Sequence, residues 1–197
     1  NMRQLLNSMA DQVDEKQPSG SRAAAAAVKR APSAHDSAYG RMEDKQLKDV
    51  AFVITDLENS TGIASAVPRA YDFVQEAHDT LMRDLIAAYG GYEINTEGDA
   101  FHVAFKDAAT AVQFCMEIQY EMMEIEWPKE VLKLPGCETQ YSRSRDREDF
   151  VYRGPRIRMG IHLATEGHVM QHLHSITKHK IYSGAPFQIT RELCEAA

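Results

Sequence analysis

Two aspartates lie in settings suited to phosphate and metal chemistry: Asp56 in Phe52–Thr61 (FVITDLENST) and Asp99 in Asn95–Phe101 (NTEGDAF). A carboxylate leaving a buried strand, followed at once by small hydroxyl residues and a helix start, can hold a hard cation while backbone N–H groups meet phosphate oxygens. Asp56 is followed in this way by Leu57, Glu58, Asn59, Ser60 and Thr61. A second carboxylate in a tight glycine-containing hairpin can complete such a site, and Asp99 directly follows Gly98. Taken singly, each aspartate also reads as a helix cap or turn former.

The elements that must position them follow from periodicity. Ala51–Ile54 is a continuous apolar run of the kind a central strand gives, and Gly62 onward opens a helical stretch. Within it Val74, Ala77, Leu81, Leu85 and Ala88 recur at helical spacing, and Gly90 with Gly91 supplies a stop. Tyr92–Asn95 and Phe101–Phe105 form the arms of a hairpin whose turn carries Gly98 and Asp99. Asp107 caps the next helix, with Ala111, Val112, Cys115, Ile118, Met122 and Ile125 as its buried stripe. Trp127 is an aromatic anchor where that helix ends, and Pro128, Pro135, Gly136 and the charged run Arg143–Asp149 mark a solvated insertion. Arg156–His162 alternates as a half-buried strand does, and a turn at Gly184, Ala185 and Pro186 precedes a helix over Phe187–Ala197. The order βαββα, then a strand and a final helix, implies an α+β sandwich with helices on a mostly antiparallel sheet.

With 197 residues and 44% hydrophobic content, the chain can build one cored domain plus some unpacked sequence. We assign residues 1–45 as a linker or lead-in, rich in Ser, Gly, Pro and Gln, and 46–197 as the domain. A net charge of -7 argues against a nucleic-acid surface, and no apolar run approaches the ~18–20 residues needed to span a bilayer. Cys115, Cys137 and Cys194 show no disulfide or CxxC logic, and Cys115 falls on an apolar helical face, which fits a reducing, cytoplasmic setting. The chain starts at Asn1 and reads as an excerpt, so a membrane attachment of the full-length protein stays open. His162, His168, His172, His174 and His179 cluster in sequence, but not with the spacing of a zinc site.

In order along the chain, Phe52–Thr61, Gly90–Phe101 (GGYEINTEGDAF), Glu126–Leu132 (EWPKEVL) and Arg158–His162 (RMGIH) resemble the catalytic domain of class III nucleotidyl cyclases, most closely fungal and protist-type adenylate cyclases. The resemblance covers roughly Val50–Ala197 and implies the ferredoxin-like βαββαβ sandwich of that family, with a domain end lying beyond Ala197. It further implies two Mg2+ or Mn2+ ions held between two carboxylates and a nucleotide triphosphate. Asp56 and Asp99 match the metal-binding pair, and the Leu57 carbonyl is an extra ligand. Asn59, Ser60, Thr61 and Gly98 then meet the phosphates, and Arg158 matches a basic residue that contacts the terminal ones.

The family builds its active site between two such domains, and here one half departs from the pattern. Asn95 stands where adenylate cyclases carry the base-reading Lys, and Ile181 where a matching Asp completes base recognition. Gln188 replaces the Asn that orients the ribose, and Glu192 replaces the Arg that stabilises the transition state. Loss of such a donor alone typically costs ~10²- to 10³-fold. The pattern implies an adenylate cyclase domain that turns ATP into cyclic AMP and pyrophosphate as the metal-binding half of a pseudo-heterodimer. Three alternatives stay open: a guanylate cyclase using GTP, a homodimer of relaxed base choice, and a pseudo-cyclase that regulates a partner without turnover.

Overall fold

Strand β1 covers Asp49–Leu57 and is buried along almost its whole length. Burial on both faces is what a central strand between two layers requires, and it explains the unbroken apolar run. The computed structural model describes residues 49–142, 150–165, 169–173 and 180–197. The expected lead-in at 1–45, the run Arg143–Asp149, and His168, His174 and His179 lie outside the described residues.

After β1 come helices α1 (Ser60–Ala66) and α2 (Pro68–Ala88), then β2 (Tyr92–Glu97), β3 (Ala100–Phe105) and α3 (Ala108–Glu124). A short 3-10 turn at Val131–Lys133 precedes β4 (Gln140–Tyr141), β5 (Phe150–Tyr152) and β6 (Ile157–Thr165); β7 (Met170–Leu173), β8 (Lys180–Ser183) and α4 (Ala185–Glu195) follow. The main sheet has the order β2-β3-β1-β6, with every neighbouring pair antiparallel. With α2 joining β1 to β2 and α3 lying between β3 and β6, this is the expected ferredoxin-like arrangement. β4–β5 and β7–β8 are separate two-stranded ribbons.

Strand alternation divides the core into two layers. One face presents Ala51, Val53 and Leu57 of β1 and Phe101, Val103 and Phe105 of β3 to Val74, Met82 and Ile86 of α2 and Phe114 and Ile118 of α3. The other gathers Val50, Phe52, Ala104, Ala164 and Tyr182, with Phe187 of α4 packed against them. Phe52 meets Tyr182 and Phe187 edge-on at 5.4 and 5.7 Å, contacts worth about 0.5–1.5 kcal/mol each beyond burial. Gly160 lets α4 lie directly on β6: a Cβ there would stand 2.5 Å from the Thr190 carbonyl oxygen and 2.5 Å from the Cys194 nitrogen.

Several expectations shift in detail. The first helix begins at Ser60, ahead of Gly62, and breaks at Val67 because the residue before a proline is driven out of helical geometry. Ala88 is exposed, while His78, Met82 and Ile86 join Val74 and Leu85 in the buried face of α2. Val112 is 40% exposed and Phe114 takes its place in the core of α3. Trp127 anchors the end of α3 as expected, buried and with its indole donating to the Met122 carbonyl at 2.9 Å, but the stretch after it is not simply solvated: Val131 and Cys137 are buried as well. Asp107 caps α3 as expected, accepting from the Thr110 N–H at 2.7 Å. All three cysteines are free and buried; burial pushes the Cys115 thiol up to about 12.

Candidate active site

Asp56 sits inside β1 rather than beyond its end, in register with Arg158 of β6. Residues directly opposite in an antiparallel pair project from the same face, so the register itself brings the two side chains together. A terminal guanidinium nitrogen of Arg158 donates to Asp56 Oδ2, and this contact holds the guanidinium further above its ordinary pKa. Where β1 ends, the Glu58 N–H donates to the Arg156 carbonyl at 2.8 Å. The chain then turns through Asn59, which adopts left-handed geometry at φ 56°. Asn tolerates that region better than most non-glycine residues.

The β2–β3 hairpin delivers the second carboxylate. Gly98 takes φ +65° at the turn, a conformation that favours glycine. Asp99 beside it accepts from the Leu57 N–H at 3.0 Å and from the Ser60 hydroxyl at 3.2 Å. Asp56 and Asp99 therefore stand at one corner, joined through the single peptide link from Asp56 to Leu57. Tyr71 on α2 also faces this corner: burial and then the Asp99 carboxylate push its phenol up, against a hydrogen bond with Ser60 that works the other way. Sequence reasoning missed Tyr71, because nothing local marks a residue in the first turn of α2.

The donor set suits a hard cation. Two carboxylates and a nearby backbone carbonyl are oxygen ligands of the kind Mg2+ and Mn2+ take. Among the described residues no group of three or more His, Cys, Asp or Glu side chains forms a fuller cage.

The other predicted positions lie on β2, β8 and α4. A register shift in β2 between Glu93 and Asn95 sets Asn95 opposite His102. Asn95 is exposed, and its amide donates to Glu97 at 2.9 Å. Glu97 also faces Arg191 of α4 at 3.8 Å. Gln188 and Glu192, one helical turn apart and both exposed, bond each other at 3.4 Å. Ile181 is half-buried in β8.

Fold and corner together define a ferredoxin-like α+β domain with paired carboxylates at one corner of its sheet. The chain belongs to the adenylate and guanylate cyclase catalytic domain family, whose model matches residues 42–183. Among its relatives are an adenylate cyclase of Lachancea kluyveri, 40% identical over 116 residues, and one of Schizosaccharomyces pombe, 32% identical over 149 residues. These alignments cover 58% and 75% of this chain but only 6% and 8% of the relatives, so the chain spans a small part of their length. A solved structure of an adenylate cyclase from Trypanosoma brucei in its monomeric state superposes with a TM-score of 0.64 at 26% identity, covering 79% of this chain and 72% of that one. The guanylyl cyclase Cya2 shares the fold alone, with a TM-score of 0.54 at 18% identity over 75% of this chain and 70% of that one.

Proposed function

We propose that this chain supplies the metal-binding half of a composite nucleotidyl cyclase site and, with a second cyclase domain, converts ATP to 3′,5′-cyclic AMP and pyrophosphate. One observation carries the reading: Asp99 is fixed by the Leu57 N–H and the Ser60 hydroxyl beside Asp56, so both carboxylates are held at one corner by the fold. Asp56, Asp99 and the Leu57 carbonyl would hold the two Mg2+ or Mn2+ ions. The chemistry those ions supply when bound is activation of the ribose 3′ hydroxyl and neutralisation of charge on the leaving pyrophosphate.

This chain's own residues then bind and orient. The turn through Asn59, Ser60 and Thr61 presents the first N–H groups of α1, which have no partner within the helix, to phosphate oxygens. Gly98 leaves the hairpin turn free of a side chain on the approach to Asp99, and Arg158 reaches the terminal phosphates. ATP is favoured over GTP by the likeness to fungal adenylate cyclases. The base-reading and transition-state groups come from the partner, because Asn95, Ile181, Gln188 and Glu192 stand at those positions here. The reading takes 46–197 as the catalytic domain and 1–45 as its lead-in, working in the cytoplasm. Among the described residues no helix is long and apolar enough to cross a membrane.

A second reading is favoured by Glu192, whose carboxylate would repel a developing phosphoryl charge: a pseudo-cyclase that binds nucleotide and regulates a partner without turnover. Cyclic nucleotide formation from ATP or GTP with Mn2+ separates the two, measured for this chain alone and mixed with a cyclase domain carrying the missing Lys, Asp, Asn and Arg. Activity confined to the mixture is the expected outcome. Robust activity of the chain alone sinks the half-site reading, and silence in both favours the regulator.

A further inference from the structure

The two carboxylates of the corner are held by different kinds of partner. Asp99 accepts from two neutral donors, a backbone N–H and a hydroxyl, which leaves acceptor capacity on both oxygens. Asp56 instead accepts from the Arg158 guanidinium, a full positive charge, on the face both share. A cation approaching Asp56 meets a like charge already seated there, and the two compete for the same lone pairs.

Arg158 is itself poorly satisfied in this arrangement. Its Nε is buried and has no hydrogen-bond partner among the described residues, whereas a guanidinium matched to an anion commonly engages two parallel N–H groups. A buried donor left unused is costly, and the cost is relieved when the head group finds an acceptor that meets more of its N–H groups. Phosphate oxygens are such an acceptor. The Arg158 side chain is 35% exposed, which gives its head group room to turn.

We propose that Arg158 is the resident counter-ion of the cation site: it neutralises Asp56 while the site is empty, competes with an incoming divalent cation for that carboxylate, and passes to the nucleotide's phosphate oxygens as the cation takes its place. This rests on the reading of Asp56 and Asp99 as cation ligands. Its consequence is a coupling between cation and phosphate. A cation arriving alone expels the guanidinium into water, whereas one arriving with a phosphate group gives it a new partner. Such coupling is reciprocal, so each ligand tightens the other by the same factor. Because both side chains are partly exposed, at 35% and 30%, solvent screens the pair and the factor is modest, on the order of 3- to 10-fold.

The test is a titration of the full chain with Mn2+, followed by the paramagnetic resonance signal of free Mn2+, without nucleotide and then with inorganic pyrophosphate. Wild type is compared with Arg158→Met, Arg158→Lys and Asp99→Asn. Arg158→Met should bind Mn2+ alone about 3- to 10-fold more tightly than wild type and lose most of the tightening that pyrophosphate brings, with Arg158→Lys between the two. Unchanged or weaker Mn2+ binding in Arg158→Met, or full retention of the pyrophosphate effect, overturns the proposal. Asp99→Asn keeps the two failures apart. Unaltered Mn2+ binding in that variant overturns the metal-site reading and this proposal with it. Binding lost there but unmoved in Arg158→Met overturns the counter-ion role alone. If Arg158→Met does not fold, the nitrogen-15 resonance of Arg158 Nε–H in wild type decides. It should shift when Mg2+ and pyrophosphate are added together, and a resonance that stays in place refutes the transfer.

Discussion

At the corner where β1 meets the β2–β3 hairpin, the two carboxylates proposed as cation ligands take their contacts from distant parts of the chain: Asp56 from a residue 102 positions away, and Asp99 from one 42 positions away. In the β8–α4 segment the contacts of Gln188 and Glu192 are with each other, four positions apart and exposed. Asn95 likewise turns to Glu97, two positions along its own strand. The first set exists only once the whole sheet has formed, so the fold spends its long-range order on holding two carboxylates in place. The second set needs no more than a local helix turn or strand. An ordered carboxylate corner beside positions whose side-chain contacts are local is the contrast on which the half-site reading proposed above rests.

That contrast can be broken most directly at the hairpin. Asp99→Ala removes a charge and strips the Leu57 N–H and the Ser60 hydroxyl of their acceptor. In the mixture with a complementing domain, cyclic nucleotide formation should fall on the order of 10³-fold, the equivalent of about 4 kcal/mol of lost charge stabilisation. Glu192→Ala in the same assay should change the rate by less than about threefold, since an exposed pair of this kind contributes little. Comparable losses from the two substitutions would erase the distinction.

The reverse experiment sharpens it. Replacing Asn95→Lys, Ile181→Asp, Gln188→Asn and Glu192→Arg together should raise the activity of the chain without a partner by about 10- to 100-fold, because a transition-state donor replaces a repelling carboxylate. No gain in a variant that still folds would mean that these four residues are not what confines the chain to half a site.

A smaller effect isolates the seating of α4 from either set of side chains. Gly160→Ala forces a methyl group against the backbone of Thr190 and Cys194 at positions that cannot yield by a rotamer change. Thermal unfolding should record a loss of about 1–3 kcal/mol, a midpoint lower by roughly 2–10 °C. If Mn2+ binding survives while α4 shifts, the carboxylate corner stands independently of the helix; joint loss would show the two regions to be one mechanical unit.

Much of this was legible along the chain because it depends on local chemistry. The apolar run before Asp56, the glycine turn before Asp99 and the Asp107 cap each follow from propensities acting within a few residues. The errors arose where burial depends on how elements meet. Val112 and Phe114 both fit an apolar face of α3, and only the position of the sheet selects Phe114. The 128–142 stretch looks like a polar connection, yet Val131 and Cys137 fold back into the core, which local polarity does not reveal.

The sequence by itself determined which residues are equipped for chemistry, since a carboxylate, a hydroxyl and a glycine keep their donor, acceptor and backbone properties wherever the chain goes. The tertiary structure decided which of them meet. The pairing of β1 with β6 sets Arg158 opposite Asp56, a shift in β2 sets Asn95 opposite His102, and the packing of α2 turns Tyr71 toward Ser60 and Asp99. Strand register and helix docking minimise the free energy of the whole core, so no local stretch of sequence encodes them.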